Sequence, residues 1–180
     1  MERAESLIMF LSEIEDTRQA RGKRHEQLAL LVLMIMGMLC GKTSLKSIAR
    51  FAKAHHVELS QHIPLPRGKV PSYSTFQRAS LRIKIDDTCA AFNKWMSQYV
   101  KPEPIAVDGK SISSTVTDTG KQAFTALVSF FGQKSQLIYR IGVLENDKGS
   151  EIHLVQSLLK MMQIERSIFT LDALHCQKKR

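Results

Sequence analysis

Residues 101–110, which read KPEPIAVDGK, divide the chain into two halves of different texture. Before them, apolar residues recur at the spacing of amphipathic helices, and after them they occur in short β-type runs. Pro102 and Pro104 end the last helix because proline cannot continue one. The sequence therefore predicts an α+β protein, with an all-helical domain over 1–100, a linker over 101–104 and a β-rich domain over 105–180.

The helical half is predicted to be built around one apolar helix. Residues 25–40 are apolar on nearly every face and are followed by Gly41, a typical helix end. Such a helix has to be covered, so we expect the amphipathic helices on either side to pack against it. Ser72 or Ser74 is expected to cap a further helix, and the last helix of this half is expected to begin at Asp86.

The second half predicts the element order β-β-β-α-β. In chain order the segments are a strand over 105–108 ended by Gly109, strands over 126–131 and 137–144, a helix over 150–162 and a strand over 167–172. The second and third strands should form a hairpin around a polar turn. The helix is then a crossover that returns the last strand parallel to one of the first three.

Two aspartates end two of these strands, Asp108 in IAVDGK and Asp172 in FTLDALH. If the first and last strands are parallel neighbours, the carboxylates converge although 64 residues separate them. Close carboxylates repel unless a cation lies between them, and oxygen ligands suit Mg²⁺ or Mn²⁺. Asp is also simply common in turns and at strand ends, so the residues alone leave both interpretations open.

The chain is strongly basic, and the excess is largest in the helical half. The 26 Lys and Arg against 17 Asp and Glu give a net charge of +9; residues 1–100 hold 15 basic and 9 acidic side chains. A polyanion is the expected partner, although charge alone does not separate nucleic acid from an anionic membrane. The predicted DNA-binding residues of this half are Lys46, Arg50, Lys53, Arg67, Lys69 and Arg78, with Arg82 beside them. An ordinary solvated surface explains the same pattern equally well.

Several other classes of protein are disfavoured. Cys40, Cys89 and Cys176 are far apart, which argues against a disulfide framework or a zinc cluster. The longest uncharged apolar run, 28–40, is shorter than the roughly 20 residues that cross a bilayer. Pro104 stands where a phosphate-binding P-loop ending in Gly-Lys-Ser needs glycine. We therefore expect a cytoplasmic protein without a membrane partner.

The motifs together resemble the N-terminal part of bacterial insertion-sequence transposases of the DDE type, specifically the H-repeat-associated group. The matching stretches are RGKRHEQLALLVLMIMGMLCG with SLKSIARFAKAH (21–55), IPLPRGKVPSYSTFQR (63–78), PIAVDGKSI (104–112), ALVSFFG (126–132) and TLDALHCQKK (170–179). They occur in the family's order over essentially the whole chain. Each stretch alone is a weak signal, and their specificity comes from the combination.

The resemblance implies a helical transposase-associated domain followed by an RNase H-like catalytic fold. Asp108 and Asp172 match the first two members of the family's acidic triad. The implied cofactors are two Mg²⁺ or Mn²⁺ ions, which support in-line attack on a DNA phosphodiester. Lys110 and His175 are expected to contact phosphate because each is close in sequence to one of the aspartates. The implied partners are transposon-end and target DNA, together with a second copy or a full-length transposase.

The third member of the triad is a Glu on a helix well beyond the second Asp, and the sequence ends at Arg180. Glu145, Glu151 and Glu165 all precede Asp172, so none takes that role. The expectation is a truncated transposase that lacks strand transfer on its own. The alternative is a non-catalytic DNA-binding protein derived from a transposase. A small metal nuclease that uses only the two aspartates ranks last.

Overall fold

The computed structural model describes residues 6–20, 23–112, 125–145, 150–162 and 167–171. It divides into two compact units, one over Ser6–Lys84 and one that begins at Ile85. The described elements are α1 (Leu7–Ser12), α2 (Gln27–Leu39), α3 (Leu45–Ala54), α4 (His56–Ser60), α5 (Tyr73–Ser80), α6 (Ile85–Met96), β1 (Ile105–Ile112), β2 (Thr125–Gly132), β3 (Ile138–Glu145), α7 (Ser150–Met162) and β4 (Phe169–Thr170). The predicted α+β class is confirmed.

The core of the helical unit is α2, as the sequence predicts. Leu30 and Leu33 are fully buried, and Ala52 of α3 and Phe76 of α5 are buried in the same cluster. Gly37 of α2 lies against the side chain of Ile48, which lets α2 and α3 approach closely. Among the described residues, no helix combines the length and the apolar character needed to span a bilayer.

Local hydrogen bonds fix where the helices of this unit begin. Ser44 and Ser47 form a capping box at the start of α3. The Ser72 side chain accepts a hydrogen bond from the Thr75 N–H at 3.3 Å, so Ser72 caps α5. Of the two residues that the sequence offered for this cap, Ser72 is therefore the one used.

The second unit holds a four-stranded sheet in the order β3-β2-β1-β4. β1 pairs with β2 and β2 with β3 in antiparallel fashion, whereas β4 lies parallel to β1. The predicted hairpin and the predicted parallel return of the last strand are both confirmed. One face of the sheet packs on α7, where Val107 and Phe130 are buried together with Val155 and Leu158.

The first strand is longer than predicted. β1 continues to Ile112, and Gly109 pairs with Val128 inside the ladder instead of ending the strand. The prediction of a strand over 105–108 ended by Gly109 is therefore wrong. The physical reason is that eight residues of β2 pair with β1, and this pairing outweighs the weak strand propensity of a single glycine.

The compact units divide before α6, whereas the sequence pattern placed the boundary at 101–104. Asn93 of α6 binds the backbone of Ile141 in β3 through both side-chain atoms, Nδ2 to the carbonyl oxygen and Oδ1 to the N–H, each at 2.8 Å. These bonds satisfy the outer edge of β3. They tie α6 to the sheet, so the last predicted helix of the first half belongs to the second unit.

The predicted linker is itself part of this structure through Glu103. The carboxylate of Glu103 is only 6% exposed and accepts hydrogen bonds from the Lys134 and Ser135 N–H groups, at 2.5 and 3.0 Å, and from the Tyr139 hydroxyl. The Tyr139 hydrogen bond and those from Ser135 and Lys134 lower the pKa of Glu103 to about 2. A charged side chain therefore joins the start of β1 to the β2–β3 turn.

Candidate functional site

Asp108 lies in the middle of β1, on the face of the sheet opposite the core. Its neighbours Val107 and Ile105 point into the core and are buried, whereas Asp108 and Lys110 are exposed. This alternation follows from the period of two along a strand. The residue that pairs with Asp108 on β2 is Ser129. The structure thus presents a carboxylate and a cation on one face of β1, two residues apart.

β4 is the parallel neighbour of β1 and pairs with the first residues of that strand. Ile105 pairs with Phe169 and Ala106 with Thr170. The Ile105 N–H donates to the Ile168 carbonyl at 2.8 Å, and the Glu103 N–H donates to the Ser167 hydroxyl at 3.3 Å. Asp172 and His175 lie outside the described residues, and so does the remainder of the chain beyond Leu171. The predicted convergence of the two aspartates therefore stays a prediction.

The described residues do not by themselves form a metal centre. Within the described ranges, no group of three or more His, Cys, Asp or Glu side chains is arranged to hold an ion. Asp108 is the one predicted metal ligand that these ranges contain. Its exposed carboxylate has the oxygen chemistry that Mg²⁺ and Mn²⁺ prefer, but one carboxylate is too few to hold either ion.

Three of the predicted DNA-binding residues form one basic face on α3. Lys46, Arg50 and Lys53 are exposed, while Ile48 and Ala52 on the opposite side are buried. The three cations line a groove of about 360 Å³ with Ala49 and the segment Val70–Tyr73. We call this the α3 groove. The helical spacing predicted this arrangement.

Two more of the predicted residues, Lys69 and Arg78, line a second depression, which we call the basic cavity. It has a volume of about 450 Å³ and is lined by Arg18, Gln19, Arg24, His25, Lys69, Val70, Ser72, Thr75, Arg78, Ala79 and Arg82. Val70 and Ser72 line the α3 groove as well. The two depressions are therefore adjacent, on either side of the segment that leads into α5.

The remaining two predicted DNA-binding residues are not part of this surface. Arg67 is exposed in a short 3₁₀ turn, Pro66–Gly68, with a φ of 57°, and it lines neither depression. Lys110 belongs to the sheet unit, on β1. Of the seven predicted DNA-binding residues, the structure brings together five, all in the helical unit.

Arg18, Arg24 and His25 are the site residues that sequence reasoning missed. Arg18 binds both carboxylate oxygens of Asp16 at 2.8 Å and donates to the His25 carbonyl oxygen at 2.8 Å. The hydrogen bonds of Arg18 lower the pKa of Asp16. Burial, followed by the charges of Arg24 and Arg18, lowers the pKa of His25. The basic run Arg-Gly-Lys-Arg-His at 21–25 was the sequence signal that could have indicated Arg24 and His25. That these two residues line a cavity together with residues of α5 is a tertiary feature, which the sequence does not show.

Comparison with known proteins places the helical part in a transposase-related class. Residues 8–96 match the family model described as DDE_Tnp_1-associated. The chain therefore contains a DDE_Tnp_1-associated domain, and the resemblance stated from the sequence motifs is confirmed. No solved structure gives a significant match to the chain.

Two relatives of the chain are named as H repeat-associated proteins. The chain is 28% identical to the Escherichia coli K12 "H repeat-associated putative transposase YhhI" and 29% identical to "H repeat-associated putative transposase YbfD", over 96% of the chain in each case. "Putative protein YbfL" of the same organism is 30% identical, also over 96%. The alignments cover 46% of YhhI and YbfL and 68% of YbfD. The chain thus spans about half the length of two of these three relatives.

Proposed function

We propose that this chain acts in DNA transposition, with a helical unit that binds DNA and a sheet unit that supplies Asp108 and Asp172 to an RNase H-like, DDE-type catalytic centre. The observation that carries this proposal is the parallel pairing of β4 with β1. Names of relatives support the transposase family, and the geometry below supports the finer assignment.

The register of the parallel pair supports a shared site for the two aspartates. Ile105 pairs with Phe169 and Ala106 with Thr170, an offset of 64 residues. The same offset separates Asp108 from Asp172 in the sequence. At this offset, Asp108 and Asp172 would lie side by side on neighbouring parallel strands. We therefore propose that both carboxylates belong to one site, in the middle of β1 and not at its end.

We propose the following roles for the chain's own residues at the site formed by Asp108 and Asp172. Asp108 and Asp172 would hold the divalent ion through carboxylate oxygens, and Lys110, two residues beyond Asp108 on the same strand, would contact a DNA phosphate. Mg²⁺ or Mn²⁺, when bound, supplies charge stabilisation for attack on a phosphodiester. The third carboxylate of the triad has no counterpart between Asp172 and Arg180.

The second part of the proposal is DNA binding by the helical unit. Lys46, Arg50 and Lys53 in the α3 groove, and Lys69 and Arg78 in the basic cavity, form adjacent positive surfaces. Such surfaces bind DNA largely by displacing counterions, so affinity falls steeply with salt. The alternative function is DNA binding without catalysis. The two adjacent basic surfaces of the helical unit would suffice for that function without any metal site.

The first experiment separates these two functions by testing the metal site directly. Mn²⁺ is titrated into the ¹⁵N-labelled full chain, and paramagnetic broadening is read at the amides of Asp108, Lys110 and Ser129. We expect selective broadening that is lost in Asp108→Asn. The matched control is Asp86→Asn, which removes an exposed carboxylate of α6. Equal broadening in wild type and Asp108→Asn would contradict the metal site and leave the alternative function.

The second experiment measures DNA binding and cleavage by the 180-residue chain. Anisotropy with a transposon-end duplex should give an affinity that falls linearly in log–log form with salt. The same DNA incubated with Mn²⁺ should stay intact, because small misplacement of a metal pair costs orders of magnitude in rate and the 180 residues tested hold two of the three proposed carboxylate positions. Cleavage that is abolished by Asp172→Asn would show that another ligand completes the centre.

A further inference from the structure

The basic cavity combines features of a dedicated anion site. From them we propose that it binds one backbone phosphate of DNA. This inference rests on the proposed DNA binding and deepens it, because it assigns a defined phosphate position to Arg24, His25, Arg78 and Arg82. Of these four, the sequence pattern predicted Arg78 as a DNA-binding residue and placed Arg82 beside it, whereas Arg24 and His25 come from the structure.

Among the described residues that line the cavity, the charged side chains are all basic. Arg24, Lys69, Arg78 and Arg82 line it and are exposed, and no acidic side chain is among its lining residues. Within the described part of the chain, none of these four forms an ion pair with an Asp or Glu. Cations gathered around a concave surface focus a positive potential on it. An anion that enters the cavity therefore gains several favourable interactions at once.

His25 supplies a buried polar atom that has no partner among the described residues. The residue lines the cavity, is only 5% exposed, and its Nδ1 makes no hydrogen bond. A buried polar atom left unsatisfied destabilises the fold. The His25 carbonyl accepts a hydrogen bond from Arg18, which is itself held by Asp16, so the backbone at this residue is fixed independently of any ligand. A phosphate oxygen bound to an Nδ1–H would satisfy this atom.

The opposite wall is the start of α5. Ser72 and Thr75 line the cavity there, and their hydroxyl oxygens lie 3.0 Å apart. The first turn of α5 contains no acidic residue, so the positive end of the helix dipole is not neutralised. Arg78, in the last turn of α5, and Arg82, just after the helix, also line the cavity, and their guanidinium groups suit phosphate because they donate in a planar fork. A volume of about 450 Å³ accommodates a phosphate with its flanking sugar atoms.

The adjacent groove favours a nucleic-acid strand over a free phosphate ion. A single ion would use the basic cavity alone. The α3 groove shares Val70 and Ser72 with it and adds Lys46, Arg50 and Lys53. A chain of phosphates that occupies the cavity can continue along the groove, where flexible lysines neutralise further charges. The basic cavity and the α3 groove together therefore suit a polymer with a phosphate at each repeat, such as a DNA strand.

The test compares two double variants of the full chain that lose equal charge. Arg78→Gln with Arg82→Gln removes the cavity's arginine pair, and Lys101→Gln with Lys134→Gln removes two exposed lysines of the sheet unit. Anisotropy is measured with a 20-base-pair duplex at several salt concentrations. We expect the cavity variant to bind about tenfold more weakly at low salt and its salt slope to fall by about 1. The lysine variant should keep the wild-type slope.

A spectroscopic readout in the wild-type chain then identifies the ligand. The Nδ1 resonance of His25, assigned with His25→Gln, is followed in imidazole-¹⁵N-labelled protein during titration with duplex, inorganic phosphate or a poly-glutamate peptide at constant ionic strength. A shift with duplex that is absent in the cavity variant supports the proposal. A shift with phosphate or peptide but not with duplex overturns it in favour of that ligand. Salt-dependent DNA binding without a His25 shift or a variant effect overturns this inference while leaving the proposed function intact; absence of DNA binding overturns both.

Discussion

The helical unit and the sheet unit both carry candidate functional residues, but they position them by different means. On α3, Lys46, Arg50 and Lys53 share a face because of the helical repeat alone. On β1, Asp108 acquires its surroundings from β2 and β4, strands that are distant in the sequence. A positive surface can therefore be built from local periodicity, whereas a site with two carboxylates depends on the register between strands.

The same difference holds for what stabilises each unit. The helical unit is centred on the buried apolar face of α2, with Leu30 and Leu33 inside a single cluster. In the sheet unit, polar side chains hold the edges: Asn93 satisfies the outer edge of β3 and Glu103 holds the β2–β3 turn. The sheet unit also has an apolar core of its own around Val107 and Phe130, so we expect lost packing to destabilise either unit and lost side-chain hydrogen bonds to matter most in the sheet unit.

The largest effect is expected from Leu33→Ala in α2. Leu33 is fully buried, and removing its side chain from a packed core costs about 2–5 kcal/mol. Urea unfolding followed by circular dichroism at 222 nm measures this loss, because that signal comes mainly from helices. The matched control is Leu39→Ala in the same helix, where the side chain is 82% exposed and the change should stay within about 0.5 kcal/mol. Equal losses in both variants would contradict the central role of α2.

An intermediate effect is expected from Asn93→Ala in α6. Asn93 is 9% exposed, and its removal leaves the N–H and carbonyl of Ile141 without their partner at 2.8 Å, a cost of about 2–3 kcal/mol. Trp95, the single tryptophan of the chain, lies in the sheet unit and reports its unfolding by fluorescence. Gln98→Ala, which alters an exposed amide, should change stability by less than about 0.5 kcal/mol. If Asn93→Ala lowered stability in the 222 nm signal but not in the Trp95 fluorescence, the prediction that Asn93 stabilises the sheet unit would be wrong.

The sequence predicted those features whose causes are local. The apolar helix over α2, a serine cap at Ser72 or Ser74 and the β2–β3 hairpin follow from residues that are close together in the chain. The end of β1 was predicted wrongly because Gly109 is a local turn signal, while its pairing with Val128 is a contact between distant residues.

The polar residues that sequence reasoning missed share one property. Their hydrogen-bond partners are distant in the sequence: Asn93 binds Ile141, 48 positions away, and Glu103 binds Tyr139, 36 positions away. The Arg18 contact with the His25 backbone spans only seven positions. Both residues become part of a cavity because residues of α5 form another part of its lining. Residue type and spacing indicate where a charged side chain lies in the sequence. The partner of that side chain becomes visible only in the folded structure. The Asp108 and Asp172 pair was proposed from spacing because parallel strands convert a sequence offset into a register.

The last prediction concerns the acid response of Glu103, whose contribution to stability is present at neutral pH and is lost on acidification. Its pKa is about 2 in the folded state against an ordinary value of 4.5. A carboxyl with a depressed folded pKa stabilises the fold above its unfolded pKa, and this stabilisation is lost as the pH falls through the folded pKa. The melting temperature reported by Trp95 fluorescence should therefore drop between pH 4.5 and 2. Glu103→Gln should flatten that drop, because an amide does not titrate there.

Asp16 provides the matched control in the other unit. The hydrogen bonds from Arg18 lower the Asp16 pKa as well, so the helical unit also loses stability as acid protonates a carboxylate. Asp16→Asn should flatten the acid response of the 222 nm signal, which the many helices of that unit dominate, and leave the slope reported by Trp95 unchanged. Glu103→Gln should do the reverse. If either substitution flattened both signals equally, the two units would unfold as one, and the division of packing and hydrogen bonding between them would be wrong.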